Sequence, residues 1–298
     1  MNYLSSELTQ EYPFTPKFFK LKSGANMAYL DEGSTAQHDS HEILLALHGN
    51  PTWSFYYRNV IKALKTSHRI IVPDHIGHGH SDCPKKYAYT LKQHIDDVEE
   101  LMLDLHSKGV KKIHLLVHDW GGAIGMGLAV RHPEMIGKII LLNTAAFCSN
   151  HIPWRIALCK VPVLGEWIVR ALNGFAYPAT FMAATKKLSK EVKAGYLAPY
   201  PNYASRISIA RFVQDIPLNK YHPSYRDLVA IEKKLPLLTG DKLILWGGKD
   251  FCFNQKFLDR WHEIYPDARI IKYPHSGHYV LEDSRDEVIS EIGSFLCH

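Results

Sequence analysis

The segment that most restricts how this chain can fold is an apolar run that ends in a polar turn and continues into glycines. It reads IHLLVHDWGG over residues 113–122. A buried strand that turns sharply into a helix in this way is typical of a nucleophile elbow, where a serine usually stands between two glycines. Here the central residue is Asp119. The pattern therefore predicts a carboxylate nucleophile at the end of a buried strand.

An aspartate in front of a helix is also a common helix N-cap, and this simpler role stays open for the segment taken alone. A second segment favours the catalytic interpretation. It is a strand-like run that ends in HGNP at residues 48–51. In a site built around such an elbow, a loop at this place supplies one backbone N–H to a developing oxyanion. The residue after the nucleophile, Trp120, supplies the other.

Two further residues complete a predicted catalytic triad. Asp250 follows the strand-like segment LILWGGKD, and His278 lies in HSGHYVLED after the last strand pattern. The order nucleophile, acid, histidine is the one that goes with such an elbow. A carboxylate that displaces a leaving group at carbon forms an ester, which water activated by His278 can hydrolyse while Asp250 orients the imidazole. We therefore expect alkyl halides, epoxides or strained lactones as substrates, not ordinary esters.

Short apolar runs alternate with amphipathic helical patterns along most of the chain, which predicts an α/β fold with a doubly wound, mostly parallel sheet. The predicted strands are 43–47, 69–73, 113–117, 138–143, 243–246 and 268–273. The predicted helices are 55–64, 91–105, 121–131, 255–265 and 285–296.

The alternation stops in the second half, where residues 148–238 form an aromatic stretch without a strand pattern. We interpret 1–147 and 239–298 as the α/β core and 148–238 as an inserted helical cap at the ligand-binding edge of the sheet. The cap is expected to enclose an apolar cavity, although for most of its aromatic residues we expect the simpler role of holding the cap together. These residues are Trp154, Trp167, Phe175, Tyr177, Phe181, Tyr196, Tyr200, Tyr203 and Phe212.

Composition narrows the class of protein. The chain has 298 residues, 46% of them hydrophobic, and a formal net charge of +5 that is spread along the sequence. This is typical of an ordinary soluble globular protein, with one domain or one domain that carries a sizeable insertion, and it gives no nucleic-acid footprint. The five cysteines are scattered without a Cys-x-x-Cys pair, which indicates free thiols in a reducing compartment. The first residues do not resemble a signal peptide, and no segment approaches the ~20 apolar residues of a membrane span. We expect a cytoplasmic enzyme.

No cofactor and no metal are expected. The sequence DHIGHGHSD (74–82) places His75, His78 and His80 close together, a spacing that could suggest a metal site. Its glycine framework is that of a tight loop after a strand, however, and the histidines occupy the variable positions of that loop. The chain also lacks a Gly-x-Gly-x-x-Gly motif after a strand and a phosphate-binding loop.

Four motifs together, HGNPTW, DHIGHGHSD, VHDWGG and HSGHYVLED, resemble those of the haloalkane dehalogenase branch of the α/β-hydrolases. The resemblance implies the α/β-hydrolase fold, attack of Asp119 on carbon, and a leaving halide bound by Asn50 and Trp120. Some dehalogenases place a glutamate after the sixth strand as the acid. Here that segment reads LLNTAAF, with Asn143, which leaves Asp250. Epoxide hydrolases share Asp-Trp-Gly but use cap tyrosines, and they stay an alternative.

The cap and the last strands resemble a narrower group, the β-lactone decarboxylases of bacterial long-chain olefin biosynthesis, which fall in the third dehalogenase subfamily. The matching segments are LLNTAAF, LGEWIVRALNGF, APYPNYASRISIARFVQDIPL and WGGKDFCFNQKFL. The resemblance implies conversion of a cis-3,4-dialkyl β-lactone into a cis-alkene and carbon dioxide.

In that reaction Asn50 and Trp120 would face a carboxylate or oxyanion, and attack on the carbonyl or on the ring carbon stays open. The resemblance also implies a small apolar substrate and association with other enzymes of hydrocarbon biosynthesis. Because a lactone with two long alkyl chains barely dissolves in water, we also expect its delivery from a membrane or a partner enzyme, and a place for the protein at the periphery of a membrane. A catalytically silent member of the fold, acting as a receptor or scaffold, is the alternative from another class. The filled triad and oxyanion positions argue against it.

Overall fold

A computed structural model describes residues 6–33 and 41–297. Within these ranges eight strands form one sheet, with thirteen α-helices around it. The strands are β1 (Lys17–Lys20), β2 (Asn26–Glu32), β3 (Glu42–Leu47), β4 (Ile70–Pro73), β5 (Lys112–Asp119), β6 (Ile136–Thr144), β7 (Lys242–Gly247) and β8 (Arg269–Tyr273). The helices are α1 (Ser6–Glu11), α2 (Arg58–Leu64), α3 (Leu91–Ser107), α4 (Trp120–Arg131), α5 (Trp154–Lys160), α6 (Leu164–Arg170), α7 (Ala176–Met182), α8 (Lys190–Leu197), α9 (Ile207–Gln214), α10 (Tyr225–Lys234), α11 (Gln255–Ile264), α12 (Val280–Asp283) and α13 (Arg285–Cys297).

The sheet has the order β1-β2-β4-β3-β5-β6-β7-β8, and among the described strands β2 is the one that runs against the others. The central strands β3 to β7 are buried and rich in isoleucine, leucine and valine, because helices cover both faces of the sheet. The predicted α/β-hydrolase fold with a mostly parallel, doubly wound sheet is confirmed.

The six strands predicted from sequence are all present, with ends that differ by three residues or fewer. The prediction missed β1 and β2, which form an antiparallel edge. Their sequences KFFK and NMAYLDE are partly exposed and lack the continuous apolar run by which buried parallel strands are recognised. The helix predicted at 55–64 was wrong at its start, since a 3₁₀ turn over Ser54–Tyr57 precedes α2.

Helices α5 to α10 lie between β6 and β7, inside the stretch predicted to be a cap. Side chains of α5, α6, α7 and α9 form an apolar cluster of their own, apart from the two clusters on either side of the sheet. The boundaries of the cap at residues 148 and 238 stay a prediction. In the described part of the chain no helix is both long and apolar enough to cross a bilayer.

A buried ion pair within the core is linked to this insertion by a tyrosine. Arg58 on α2 donates two hydrogen bonds to the Glu282 carboxylate on α12, of 2.6 Å and 3.0 Å. The hydroxyl of Tyr196 on α8 donates to the same carboxylate. The Arg58 guanidinium lies 4.1 Å from the centre of the Phe55 ring. Helix α12 directly follows the loop of His278. The pair therefore fixes that loop against α2 of the core and, through Tyr196, against α8 of the insertion.

Replacing Glu282 by glutamine should therefore lower the free energy of unfolding by up to about 3–5 kcal/mol, since the buried Arg58 would lose its main counter-charge and keep only the more exposed Glu11, 3.3 Å from its Nε. Urea denaturation followed by circular dichroism measures this. Lys108→Gln is the control, because its pair with Asp104 is exposed on α3 and is worth less than about 1 kcal/mol. Equal losses in the two variants would contradict a stabilising role for the buried pair.

Candidate active site

Asp119 stands where β5 turns into α4, and its backbone is in an unusual conformation. Its φ is 52° and its ψ is −126°, a region that L-residues rarely occupy. Its side chain makes no capping hydrogen bond to α4, so the N-cap interpretation of this aspartate is not supported. The turn brings residue 121 so close to β3 that only a glycine fits there. A Cβ at Gly121 would stand 2.0 Å from the Leu47 carbonyl oxygen.

One backbone N–H group holds the Asp119 carboxylate. The N–H of Asn50 donates to Oδ1 at 2.7 Å, and the adjacent N–H of Trp120 helps to lower the pKa of the carboxylate. Asn50 belongs to the loop after β3, and Gly49 is needed there because its Cβ would lie 2.2 Å from Asp119 Oδ1. The Asn50 N–H, predicted to bind a substrate oxyanion, thus binds the carboxylate of Asp119 itself.

The histidine and the second aspartate stand beside this carboxylate. The Nδ1 atom of His278 bonds to Asp250 Oδ2 at 2.8 Å, and Nε2 lies 3.7 Å from Asp119 Oδ2. Asp250 accepts a further hydrogen bond of 2.6 Å from the N–H of Cys252. All three side chains are largely buried. The structure therefore brings together the three residues of the predicted triad, and the bond to Asp250 leaves Nε2 turned towards Asp119.

Burial and neighbouring charges shift the pKa values of Asp119 and His278. Burial raises the pKa of Asp119 above its ordinary value, although His278 and the two N–H groups oppose the shift. Burial also lowers the pKa of His278, but Asp250 and Asp119 outweigh it and the net pKa is raised. A carboxylate attacks carbon only as the anion, and an imidazole accepts a proton only when neutral. If Asp119 and His278 take the roles predicted from sequence, activity should be lost on the acid side.

Asn143 occupies the place where some relatives carry the acid. Its side-chain oxygen accepts from the N–H of Gly247 at 2.7 Å, and its amide donates to the Gly247 carbonyl at 3.1 Å. The side chain thus links the ends of β6 and β7, three residues before Asp250. It thereby supports the loop that carries Asp250. Neither of these two bonds involves His278.

The side chains of Asn50 and Trp120 were predicted to bind an anion. The Asn50 amide donates to the carbonyl of Ile209 in α9 at 3.3 Å, which leaves its second N–H for a ligand. Its oxygen lies 3.3 Å from Nε2 of His78. Because a side-chain amide oxygen only accepts, His78 is the donor. Trp120 lines the cavity above Asp119 and packs edge-on against Phe212, with 5.2 Å between ring centres.

Sequence reasoning missed the contribution of His78, which it treated as a variable loop position. The contact with Asn50 joins two loops that are 28 residues apart, and no local pattern signals it. The neighbouring His75 donates through Nε2 to the His48 carbonyl at 3.0 Å. Among the described residues, no group of three or more histidine, cysteine, aspartate or glutamate side chains is arranged to hold a metal ion.

A mostly apolar cavity lies over Asp119. The predicted cap stretch contributes to its lining, through Ile152, Ile156 and Val213 among others, and of the nine cap aromatics named from the sequence Phe175 is the one that lines it in the described part of the chain. Three of the other eight are buried as packing residues, the role that the sequence favoured for most of them, and five are exposed. The apolar lining consists mainly of Leu91, Ala123, Ala145, Phe147, Ile152, Pro153, Ile156, Phe175, Val213, Ile216, Pro217, Leu228, Phe253 and Phe257.

Comparisons with known proteins agree on the family to which this chain belongs. A family model described as α/β hydrolase fold matches residues 42–284. The chain is 42% identical to the cis-3-alkyl-4-alkyloxetan-2-one decarboxylase of Shewanella oneidensis, over 95% of this chain and 89% of the relative. The protein of the same name from Xanthomonas campestris is 37% identical, over 96% and 97%.

More distant relatives are haloalkane dehalogenases. Haloalkane dehalogenase 2 of Mycobacterium tuberculosis is 29% identical over 95% of both chains. The crystal structure of a haloalkane dehalogenase from Bradyrhizobium elkani superposes with a TM-score of 0.86 over 95% of this chain and 98% of the other, at 23% identity. At that identity the structural likeness shows the fold alone.

The geometry predicts how the histidine titrates. In the wild type the pKa of His278 should lie above its ordinary value, and Asp250→Asn should lower it more than Asp119→Asn does, since Asp250 is the larger influence. Nitrogen-15 NMR of the imidazole signals over a pH series measures this, with His278→Gln identifying the signal. A His278 pKa that does not respond to Asp250→Asn would contradict the arrangement described.

Proposed function

Because the chain belongs to the α/β-hydrolase family, and within it to the group of the cis-3-alkyl-4-alkyloxetan-2-one decarboxylases, we propose that it converts a cis-3,4-dialkyl β-lactone into a cis-alkene and carbon dioxide. Asp119 would be the nucleophile, His278 and Asp250 the rest of the triad, and Asn50 and Trp120 the anion-binding pair. The observation that carries the proposal is a buried carboxylate nucleophile at the base of an apolar cavity.

The hydrogen bonds of Asp119 favour attack on the ring carbon that bears the ring oxygen over attack on the carbonyl. The N–H of Asn50 is already engaged by the Asp119 carboxylate, and the N–H of Trp120 also acts on that charge. An oxyanion formed from the substrate carbonyl would therefore lack at least one of the two donors that usually stabilise it. Attack on carbon needs no such donors. It leaves the Asn50 N–H on the ester group of Asp119.

The atoms balance along this route without water or proton transfer. An oxygen of Asp119 bonds to the ring carbon, the bond from that carbon to the ring oxygen breaks, and the released carboxylate faces Asn50 and Trp120. The bond from this carboxylate to its carbon then breaks to give carbon dioxide. Its electron pair forms the double bond as the Asp119 ester oxygen leaves as a carboxylate. Inversion followed by anti elimination converts a cis lactone into a cis-alkene.

The cavity suits the two alkyl chains of such a substrate. Apolar side chains dominate its lining, including Phe147, Leu228 and Phe257, and burying alkyl chains contributes about 0.8 kcal/mol per methylene. A lactone with two long chains barely dissolves in water. The proposed function therefore implies that a membrane surface or a neighbouring enzyme of hydrocarbon biosynthesis supplies the substrate.

Haloalkane dehalogenation is the second candidate, since Haloalkane dehalogenase 2 is a relative over 95% of this chain. The same carboxylate attack would then form an alkyl ester, and Asn50 and Trp120 would face the departing halide. This reaction differs in one respect that can be tested. The ester has no carboxylate to lose, so His278 must activate water to release the product.

The first prediction of this proposal concerns the nucleophile. Wild-type protein incubated with a synthetic cis-3,4-dialkyl β-lactone should give a cis-alkene by gas chromatography. Asp119→Asn, which keeps the side-chain shape, should lower turnover by roughly 10³-fold or more. Asp286→Asn, at an exposed site, is the matched control. Iodide release from 1-iodobutane beside an intact lactone would instead make the protein a dehalogenase, and diol from an alkyl epoxide an epoxide hydrolase.

The second prediction separates the two reactions through His278. His278→Gln should lose hydrolysis of 1-iodobutane by about 10²–10⁴-fold, the usual contribution of a general base, and should accumulate a butyl ester on Asp119 by mass spectrometry. Decarboxylation of the lactone should fall by less than about tenfold, because its route contains no proton transfer. Equal losses in both reactions would mean that His278 moves a proton during decarboxylation as well.

A further inference from the structure

The outer surface of the first three cap helices is unusually apolar. Of the fifteen large apolar side chains that are exposed in the described part of the chain, nine lie between residues 154 and 181. Single exposed apolar side chains are normal on a monomer, but their concentration in one segment marks a candidate binding surface. The nine residues, here named the cap face, are Trp154, Leu158, Val161, Val163, Leu164, Trp167, Leu172, Tyr177 and Phe181.

Helices α5, α6 and α7 are apolar on both sides. On α5, Trp154 and Leu158 are exposed while Cys159 is buried. On α6, Trp167 is exposed while Val169 is buried in the cluster shared with α9. A helix on the surface of a water-soluble protein normally turns polar side chains outward. Packing inside the cap explains why the inner faces are apolar. The apolar side chains of the outer faces have no described partner within the chain.

The residue types of the cap face indicate a lipid surface. Trp154 is 68% exposed, Trp167 is 52% exposed and Tyr177 is 58% exposed. Tryptophan and tyrosine are favoured at the boundary between water and lipid, because their rings are apolar and carry a polar group. The Arg155 guanidinium lies 4.6 Å from the centre of the Trp154 ring, so a positive charge stands next to the most exposed tryptophan.

The charges near the cap face are mainly positive. Residues 154–193 contain seven lysines and arginines and two acidic residues. Arg155, Lys186, Lys187 and Lys190 are exposed. Cores of protein–protein interfaces are depleted in lysine, whereas anionic lipid headgroups attract lysine and arginine next to an apolar face. This combination favours a bilayer with anionic lipids over a partner protein.

The segments that carry the cap face also carry residues that line the active-site cavity. Pro153 and Ile156 line the cavity on either side of Trp154, and Phe175 lines it two residues before Tyr177. The segments that carry the exposed side chains therefore also bound the space above Asp119. We infer that the cap face docks on an anionic lipid bilayer and admits its long-chain lactone from there. This inference rests on the proposed function for the identity of the substrate.

Flotation with vesicles tests the docking without any turnover. Wild-type protein should float with vesicles of phosphatidylcholine and phosphatidylglycerol, bind less at high salt, and shift its tryptophan emission to shorter wavelength. The double variant Trp154→Ser/Trp167→Ser should bind about tenfold or more weakly. The control is Phe18→Ser/Leu237→Ser, which removes exposed apolar side chains from the edge strand β1 and from the segment before β7.

Turnover separates this inference from the proposed function. With a short-chain, water-soluble β-lactone and no vesicles, the tryptophan double variant should match the wild type. With a long-chain lactone in vesicles it should fall about tenfold or more. Any of three results would overturn the docking. These are no binding of the wild type to vesicles, an equal loss of binding in the control variant, or a dimer that the tryptophan substitutions dissociate. Absence of alkene from either lactone would contradict the proposed function while leaving the vesicle result intact.

Discussion

The site depends on the conformation in which β5 ends. A residue such as Asp119 with φ at 52° costs of order 1–3 kcal/mol, and it persists only where the surrounding packing fixes it. The neighbouring strands supply that packing. Gly121 lies against the Leu47 carbonyl of β3, and the Thr144 hydroxyl of β6 donates to the Asp119 carbonyl. The indole of Trp261 in turn donates to the Thr144 carbonyl at 2.8 Å. The stability of the parallel sheet thus holds the nucleophile in its strained turn.

The same burial that fixes Asp119 also makes its charge reactive. A carboxylate removed from water is stabilised mainly by the groups around it, here two backbone N–H groups and His278. Those groups only partly offset burial, so the pKa of Asp119 stays raised. Asp250 offsets the positive charge of His278 without contacting the nucleophile in any described hydrogen bond. An anion that little water solvates attacks carbon more readily, which suits displacement chemistry better than proton transfer.

Much of the fold, and the proximity of Asp119, Asp250 and His278, can be predicted from sequence, because each part has a local signal. The central strands are continuous apolar runs, and Asp119, Asp250 and His278 each follow such a run. What could not be predicted depends on contacts between distant segments. The antiparallel edge strands have no apolar run, and Asn143 could be excluded as the acid without its bonds to Gly247 being foreseen. The direction of the cap aromatics was also beyond reach, since seven-residue helices with apolar residues on both sides show no periodicity that separates inside from outside.

Asn50 is where these distant contacts meet. Its backbone N–H holds the Asp119 carboxylate, its side-chain amide binds the Ile209 carbonyl of the cap, and its oxygen accepts from His78. A change in the position of α9 would therefore move the amide that faces the developing anion. The core loop and the cap helix fix one side chain from two directions, so the cap can influence the chemistry at Asp119 as well as the shape of the cavity. In proteins of this fold with similar triads, different reactions can then arise from the cap without a change in the nucleophile.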